Sequence, residues 1–129
     1  MKIFALLGRI FFALIFVLSG FHHLTGDGVA YAAAAGVPSP AFLVPFAGLL
    51  SLVGGLSVLL GYKTKWGAWL LVIFLVPVSY YLHPFWTEKD PGAAQMQMAM
   101  FMKNVSMLGG ALLLTYFGAG PYSIDNKGK

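Results

Sequence analysis

The run from Ala94 to Phe117 constrains this chain more than any other stretch. It is apolar and rich in helix formers, and about 20 such residues cross a bilayer as one helix. Yet Lys103 and Asn104 stand side by side near its middle. An ammonium at the centre of a bilayer costs roughly 2.5–3.5 kcal/mol on insertion scales. The rest of the chain must therefore accept Lys103, or function must require it.

Three more runs of spanning length precede it, at about 3–24, 40–60 and 66–83. Of 129 residues, 59% are hydrophobic and 9% charged, against about 25% charged in a soluble domain. Such a composition cannot cover a surface that faces water. Backbone in lipid must satisfy its own hydrogen bonds, and no strand pattern is present. The expected fold is all-α: one domain over 1–129, an integral membrane four-helix bundle whose first partner is the lipid bilayer.

The chain has no cysteine, which removes disulfides, thiol redox chemistry, iron–sulfur ligation and Cys-based zinc sites. The positive charges sit at span ends, with no basic patch interleaved with exposed aromatics, so nucleic acid is not an expected partner. Lys2 ahead of an apolar run imitates a signal peptide. Arg9 interrupts that run, which continues to Leu18, so a membrane span is expected instead.

The links between spans carry their own signals. After span one, Asp27 reads as an N-cap, 29–35 as a short helix lying at the interface with Tyr31 as anchor, and Gly36 as its C-cap. Ser39-Pro40 reads as an N-cap and first helical position. Ser51, Gly54, Gly55 and Ser57 make a small-residue strip in span two, suited to close helix packing. Pro77 predicts a kink in span three. Tyr80, Tyr81, His83, Phe85 and Trp86 form an aromatic belt at its end. Arg9 is shallow enough to snorkel to the headgroups. Lys2, Arg9, Lys63, Lys65, Lys127 and Lys129 fall on one side and Lys89 on the other, which predicts cytoplasmic termini.

With that orientation, polar groups gather in the outer half of the bundle. His22 and His23 end span one, His83 ends span three, and Gln95 and Gln97 begin span four. Lys103 and Asn104 lie two to three turns deeper, with Ser51 at a similar depth on span two. Lys103 shares a face with Met96, Met100, Met107 and Gly110. The stripe Arg9, Ala13, Phe16, Gly20 and His23 places His23 in the bundle and His22 nearer the interface. The candidate ligand-binding set is Lys103, Asn104, His23, His83, Ser51, Trp86 and Gln97; no residue is assigned a catalytic role. Interface anchoring is the first reading of the histidines, ahead of proton transfer to a quinone headgroup. Haem ligation ranks below both, and no metal site is expected because a third zinc ligand is missing. For Lys103 the structural alternative is a hydrogen bond to carbonyls freed by Pro77. The methionines read first as core filler.

The order Leu7-Gly8-Arg9, Gly36-Val37-Pro38, Gly54-Gly55, His83-Pro84-Phe85-Trp86, Phe101-Met102-Lys103-Asn104, Gly109-Gly110 and Phe117-Gly118-Ala119-Gly120-Pro121 resembles the DoxX family of small four-span bacterial inner-membrane proteins. The resemblance implies a four-helix membrane bundle in the inner membrane. It also implies a link to quinol oxidation and thiosulfate:quinone oxidoreduction, hence a quinone as ligand and an oxidoreductase subunit as partner. Two positions depart from the family pattern. Ser51 stands where a glutamate is common, and Phe21-His22-His23-Leu24 replaces a region that commonly carries a lysine. If that glutamate pairs with the span-four lysine in the family, Lys103 lacks its counter-ion, and the pocket between spans one, two and four is where its substitute is expected. Three functions follow in order: a quinone-interacting accessory subunit, a non-catalytic assembly partner (a homo-oligomer included), and a small transporter or channel.

Overall fold

The structure, a computed structural model, describes residues 1–127; Lys129, counted in the charge bias, lies outside them. The helices are α1 (Lys2–Leu24), α2 (Val29–Ala34), α3 (Pro40–Leu60), α4 (Thr64–Leu82) and α5 (Pro91–Phe117), with a 3-10 turn at Phe85–Thr87. Four of them, α1, α3, α4 and α5, are long and apolar enough to cross a membrane. No strand occurs among the described residues. The chain is a small integral membrane protein.

Neighbours in sequence are neighbours in space: α1 packs on α3, α3 on α4, and α4 on α5. The fourth edge of the bundle, α1 beside α5, is looser. The core is made by Ala13, Phe16, Val58, Leu71, Phe74, Leu75 and Ala111. Small residues let the backbones approach. A Cβ built on Gly54 would lie 2.9 Å from the Gly67 oxygen of α4, and one on Gly55 would lie 3.1 Å from the Val17 nitrogen of α1. The small-residue strip of α3 is thus used up inside the bundle, facing two neighbours rather than an outside partner.

Several local expectations change. Asp27 does not cap α2. Its N–H bonds to the His22 oxygen, which makes it part of the turn closing α1, and Gly28 takes the cap position at φ 90, a conformation open to glycine. Ser39 precedes Pro40 as expected, but its side chain makes no capping bond. α4 runs on through Pro77 to Leu82, so the proline removes one backbone bond without ending the helix. Asp90 caps α5 by accepting from the Ala93 N–H at 2.8 Å.

Arg9 does not snorkel. It is only 4% exposed and is locked inside the bundle end that carries both termini. Its guanidinium donates to the oxygens of Tyr122 at 2.7 Å, Ala119 at 3.0 Å and Pro121 at 3.3 Å, with a longer contact to Leu59 at 3.5 Å. The segment after α5 is therefore an ordered strap. Its Ile124 and Asp125 N–H groups bond to Leu60 and Gly61, and the Asp125 carboxylate accepts from the N–H groups of Lys63 and Thr64 at the start of α4.

Candidate functional site

At the opposite end, the bundle's loose edge opens into a cavity of about 210 Å³. Its walls come from three helices. α1 supplies Ile15, Phe16, Ser19 and His23; α4 and its C-cap supply Phe74, Leu75, Val78, Leu82 and His83; α5 supplies Lys103, Asn104 and Met107. Spans one, three and four make this pocket, not spans one, two and four.

Four of the expected residues meet here: Lys103, Asn104, His23 and His83. Asn104 is the most telling. It is 4% exposed, lines the cavity, and its amide has no hydrogen-bond partner among the described residues. The amide atoms stay accessible to whatever fills the cavity, since Thr64 Oγ1 is the buried side-chain polar atom left without a partner among the described residues. The Lys103 ammonium has a weak neighbour, the Met100 sulfur at 3.7 Å, and makes no bond to carbonyls near Pro77. The chain's four acidic residues, Asp27, Glu88, Asp90 and Asp125, all lie outside the long helices.

The two histidines are fixed by their partners. His23 Nδ1 lies 2.6 Å from the Ser19 carbonyl oxygen and 3.1 Å from its hydroxyl. A carbonyl only accepts, so Nδ1 carries the proton and Nε2 is the free acceptor. Tyr31 donates its hydroxyl to the Leu82 oxygen at 3.0 Å and accepts from Gln97 Nε2 at 3.1 Å. That orients the Gln97 oxygen toward His83 Nδ1, 2.9 Å away, so His83 also donates from Nδ1 and offers Nε2. The cavity thus presents donors from Lys103 and Asn104, and acceptors from His83 and the Asn104 oxygen, with His23 in its wall.

The remaining candidates sit elsewhere. Ser51 is fully buried between α3 and α1, donating to the Phe16 oxygen at 2.7 Å. A short hydroxyl facing α1 cannot also reach α5. Trp86 belongs to an exposed ring cluster with Tyr80, Phe85 and Phe101. Gln97 holds His83 from behind rather than lining the cavity. His22 is exposed, as its position off the buried stripe implies. Ser19 was not singled out as a site residue; its place one turn before His23 was the available signal.

The same contacts revise the depth of Lys103. His83 meets Gln97, and Phe85 and Trp86 pack on Phe101. The end of α4 is therefore level with 97–101, and the first turns of α5 project beyond it. From Met98 to Phe117, about 20 residues remain to cross the hydrocarbon. Lys103 lies about 3–9 Å below that level, at 1.5 Å per residue, rather than two to three turns. Its Cβ tilts toward the helix N-terminus, so the ammonium rises toward the same surface.

The family model for DoxX matches residues 4–84. The chain belongs to the DoxX family. It is 34% identical over 93% of its length to "Inner membrane protein YqjF" of Escherichia coli (strain K12), covering 88% of that protein. It is 32% identical over 95% of its length to "Inner membrane protein YphA" of the same organism, again covering 88%. A weaker likeness, 32% over 65% of the chain and 27% of the relative, links it to "ER-derived vesicles protein ERV29" of Saccharomyces cerevisiae. No solved structure matches. The DoxX match ends at Pro84, so Lys103 and Asn104 lie outside the matched segment, while Ser19, His23 and His83 lie within it.

Among the described residues no group of three or more His, Cys, Asp or Glu could hold a metal ion. The imidazole pair is set up for hydrogen bonding.

Proposed function

We propose that this DoxX protein is a small accessory subunit of a respiratory or sulfur-oxidising oxidoreductase system, and that it binds a quinone headgroup in the cavity between α1, α4 and α5. The observation that carries this reading is the unpaired Asn104 amide facing a cavity that is also lined by Lys103 and His83. A quinone ring is flat and largely apolar, with carbonyl oxygens at its ends. One oxygen accepts from Lys103 or Asn104. When the ring is reduced, its hydroxyl donates to His83, which passes the proton toward the nearby surface. The family relatives named as inner membrane proteins support the same location for this chain. The lysines at the terminal end support cytoplasmic termini, which turns the cavity toward the outer face.

Protein in lipid nanodiscs, titrated with a short-chain ubiquinone analogue and followed by tryptophan quenching, tests this. Lys103→Met should weaken binding about tenfold, the loss of one charge-assisted bond. Asn104→Leu should weaken binding too, yet leave the thermal midpoint of the ligand-free protein close to wild type, because the amide it removes makes no bond within the chain. No binding by the wild type, or binding by both variants as tight as the wild type's, overturns the reading.

A second reading rests on α5. It buries only Asn104 and Ala111, exposes Met98, Met102, Leu112 and Leu113, and carries Gly109 with open space around it. A partner helix, from an oxidoreductase subunit or a second copy, fits along this face. Gly109→Leu should then reduce co-purification or particle size; a particle unchanged by it, of one chain's mass, removes this reading.

A further inference from the structure

A second cavity, of about 330 Å³, lies between α3 and α4 beneath α2. Its walls are aliphatic and aromatic, and His23 and Tyr81 are the polar side chains among them. Ala32 of α2 with Val37 and Pro38 forms its roof. Phe46 and Ile73, both lining it, are exposed on the outside of the bundle, so its mouth opens sideways onto the hydrocarbon. His23, Phe74, Val78 and Leu82 separate it from the polar cavity.

Such a space has few candidate occupants. Water needs two to four polar partners, which these walls do not offer. A transmembrane helix is about 10–12 Å across and too wide. A hydrocarbon chain entering from the bilayer meets apolar wall on both sides. At the inner end it meets His23, whose Nδ1 is committed to Ser19, leaving Nε2 as an acceptor. That edge of the ring faces the start of α2, since a Cβ on Gly28 would lie 3.9 Å from Cδ2 and Nε2.

We propose that this cavity binds one hydrocarbon chain of a membrane amphiphile whose head carries a hydroxyl, donated to His23 Nε2. α2 is the roof over the bound chain. It is pinned to α4 and α5 through the Tyr31 hydroxyl. This site is distinct from the quinone cavity, and Lys103 takes no part in it.

The probe is a long-chain alcohol bearing a mid-chain diazirine and a terminal alkyne, added to the protein in phosphatidylcholine nanodiscs. Adducts mapped by mass spectrometry should concentrate on 43–50 and 73–82. Unlabelled hexadecanol should displace the probe, and hexadecane should do so much less well. Ala47→Phe from one wall and Val78→Phe from the other should each cut labelling to that of lipid-facing positions such as Leu113. Lys103→Met should leave labelling intact even as it weakens quinone binding. Adducts spread evenly over lipid-facing positions overturn the site. Equal competition by hexadecane overturns the role of His23. Loss of labelling in Lys103→Met overturns the independence of the two cavities. Should either wall variant fail to fold, mapping and competition on the wild type decide the matter.

Discussion

Arg9→Met lowers the thermal unfolding midpoint of the purified protein by more than any substitution in the candidate site. The guanidinium fans across four carbonyls drawn from the end of α3 and from the strap after α5. Methionine fills similar volume and makes none of these bonds, so the carbonyls of Ala119, Pro121 and Tyr122 lose a charged donor in a largely enclosed place. The expected cost is about 3–5 kcal/mol. Arg9→Lys recovers only part of it, because an ammonium donates from one point and cannot reach acceptors spread around a planar fork. An Arg9→Met midpoint equal to wild type, measured in the same detergent, defeats this account of the strap.

Gly20→Ala is the second large effect. The new Cβ would sit 2.7 Å from the Leu52 nitrogen and 2.8 Å from its Cα. Those are backbone atoms, so α1 and α3 must separate where they pack most extensively, at about 2–3 kcal/mol. Gly48→Ala strikes the same crossing from the other side, 2.8 Å from the Leu24 nitrogen and 3.0 Å from the Gly20 oxygen. Once the helices have moved apart for one methyl, the second meets less resistance, so the double variant should cost less than the sum. The functional consequence is specific. The Gly48 Cβ would also lie 2.8 Å from the His23 Cβ, so Gly48→Ala should displace that imidazole from the cavity wall and weaken the proposed quinone binding with Lys103 untouched. Additive stabilities, measured by thermal unfolding of both singles and the double, would count against a shared crossing.

The four spanning helices were legible because hydropathy at spanning length is a one-dimensional signal. His23 was placed correctly because it falls on the stripe Arg9, Ala13, Phe16 and Gly20, all of which are buried. The helix neighbour that completes the cavity was not legible. Ser51 shares a depth with polar groups of the first span, but depth does not say which two helices face each other, and its hydroxyl bonds to Phe16 instead. The level of Lys103 against the end of α4 was not legible for a related reason. Counting from Ala94 assumes that α5 begins at the membrane surface, whereas the pairing of His83 with Gln97 sets α5 projecting past α4. Arg9 was read from its distance to the chain end. Three of its four acceptors lie 110 to 113 residues away in sequence and the fourth lies 50 away, beyond any local pattern.

The strap has a consequence for how this protein is made. The first helix enters the membrane with Arg9 already in it, while the carbonyls that receive it belong to residues 119–122. Until ribosome and insertion machinery release those residues, the guanidinium has to be sheltered by water, headgroups or the translocation channel. Completion of the bundle is thus tied to the synthesis of residues 119–122. Nascent chains halted before Ala119 should remain protease-sensitive at their terminal end, although all four helices have by then been synthesised.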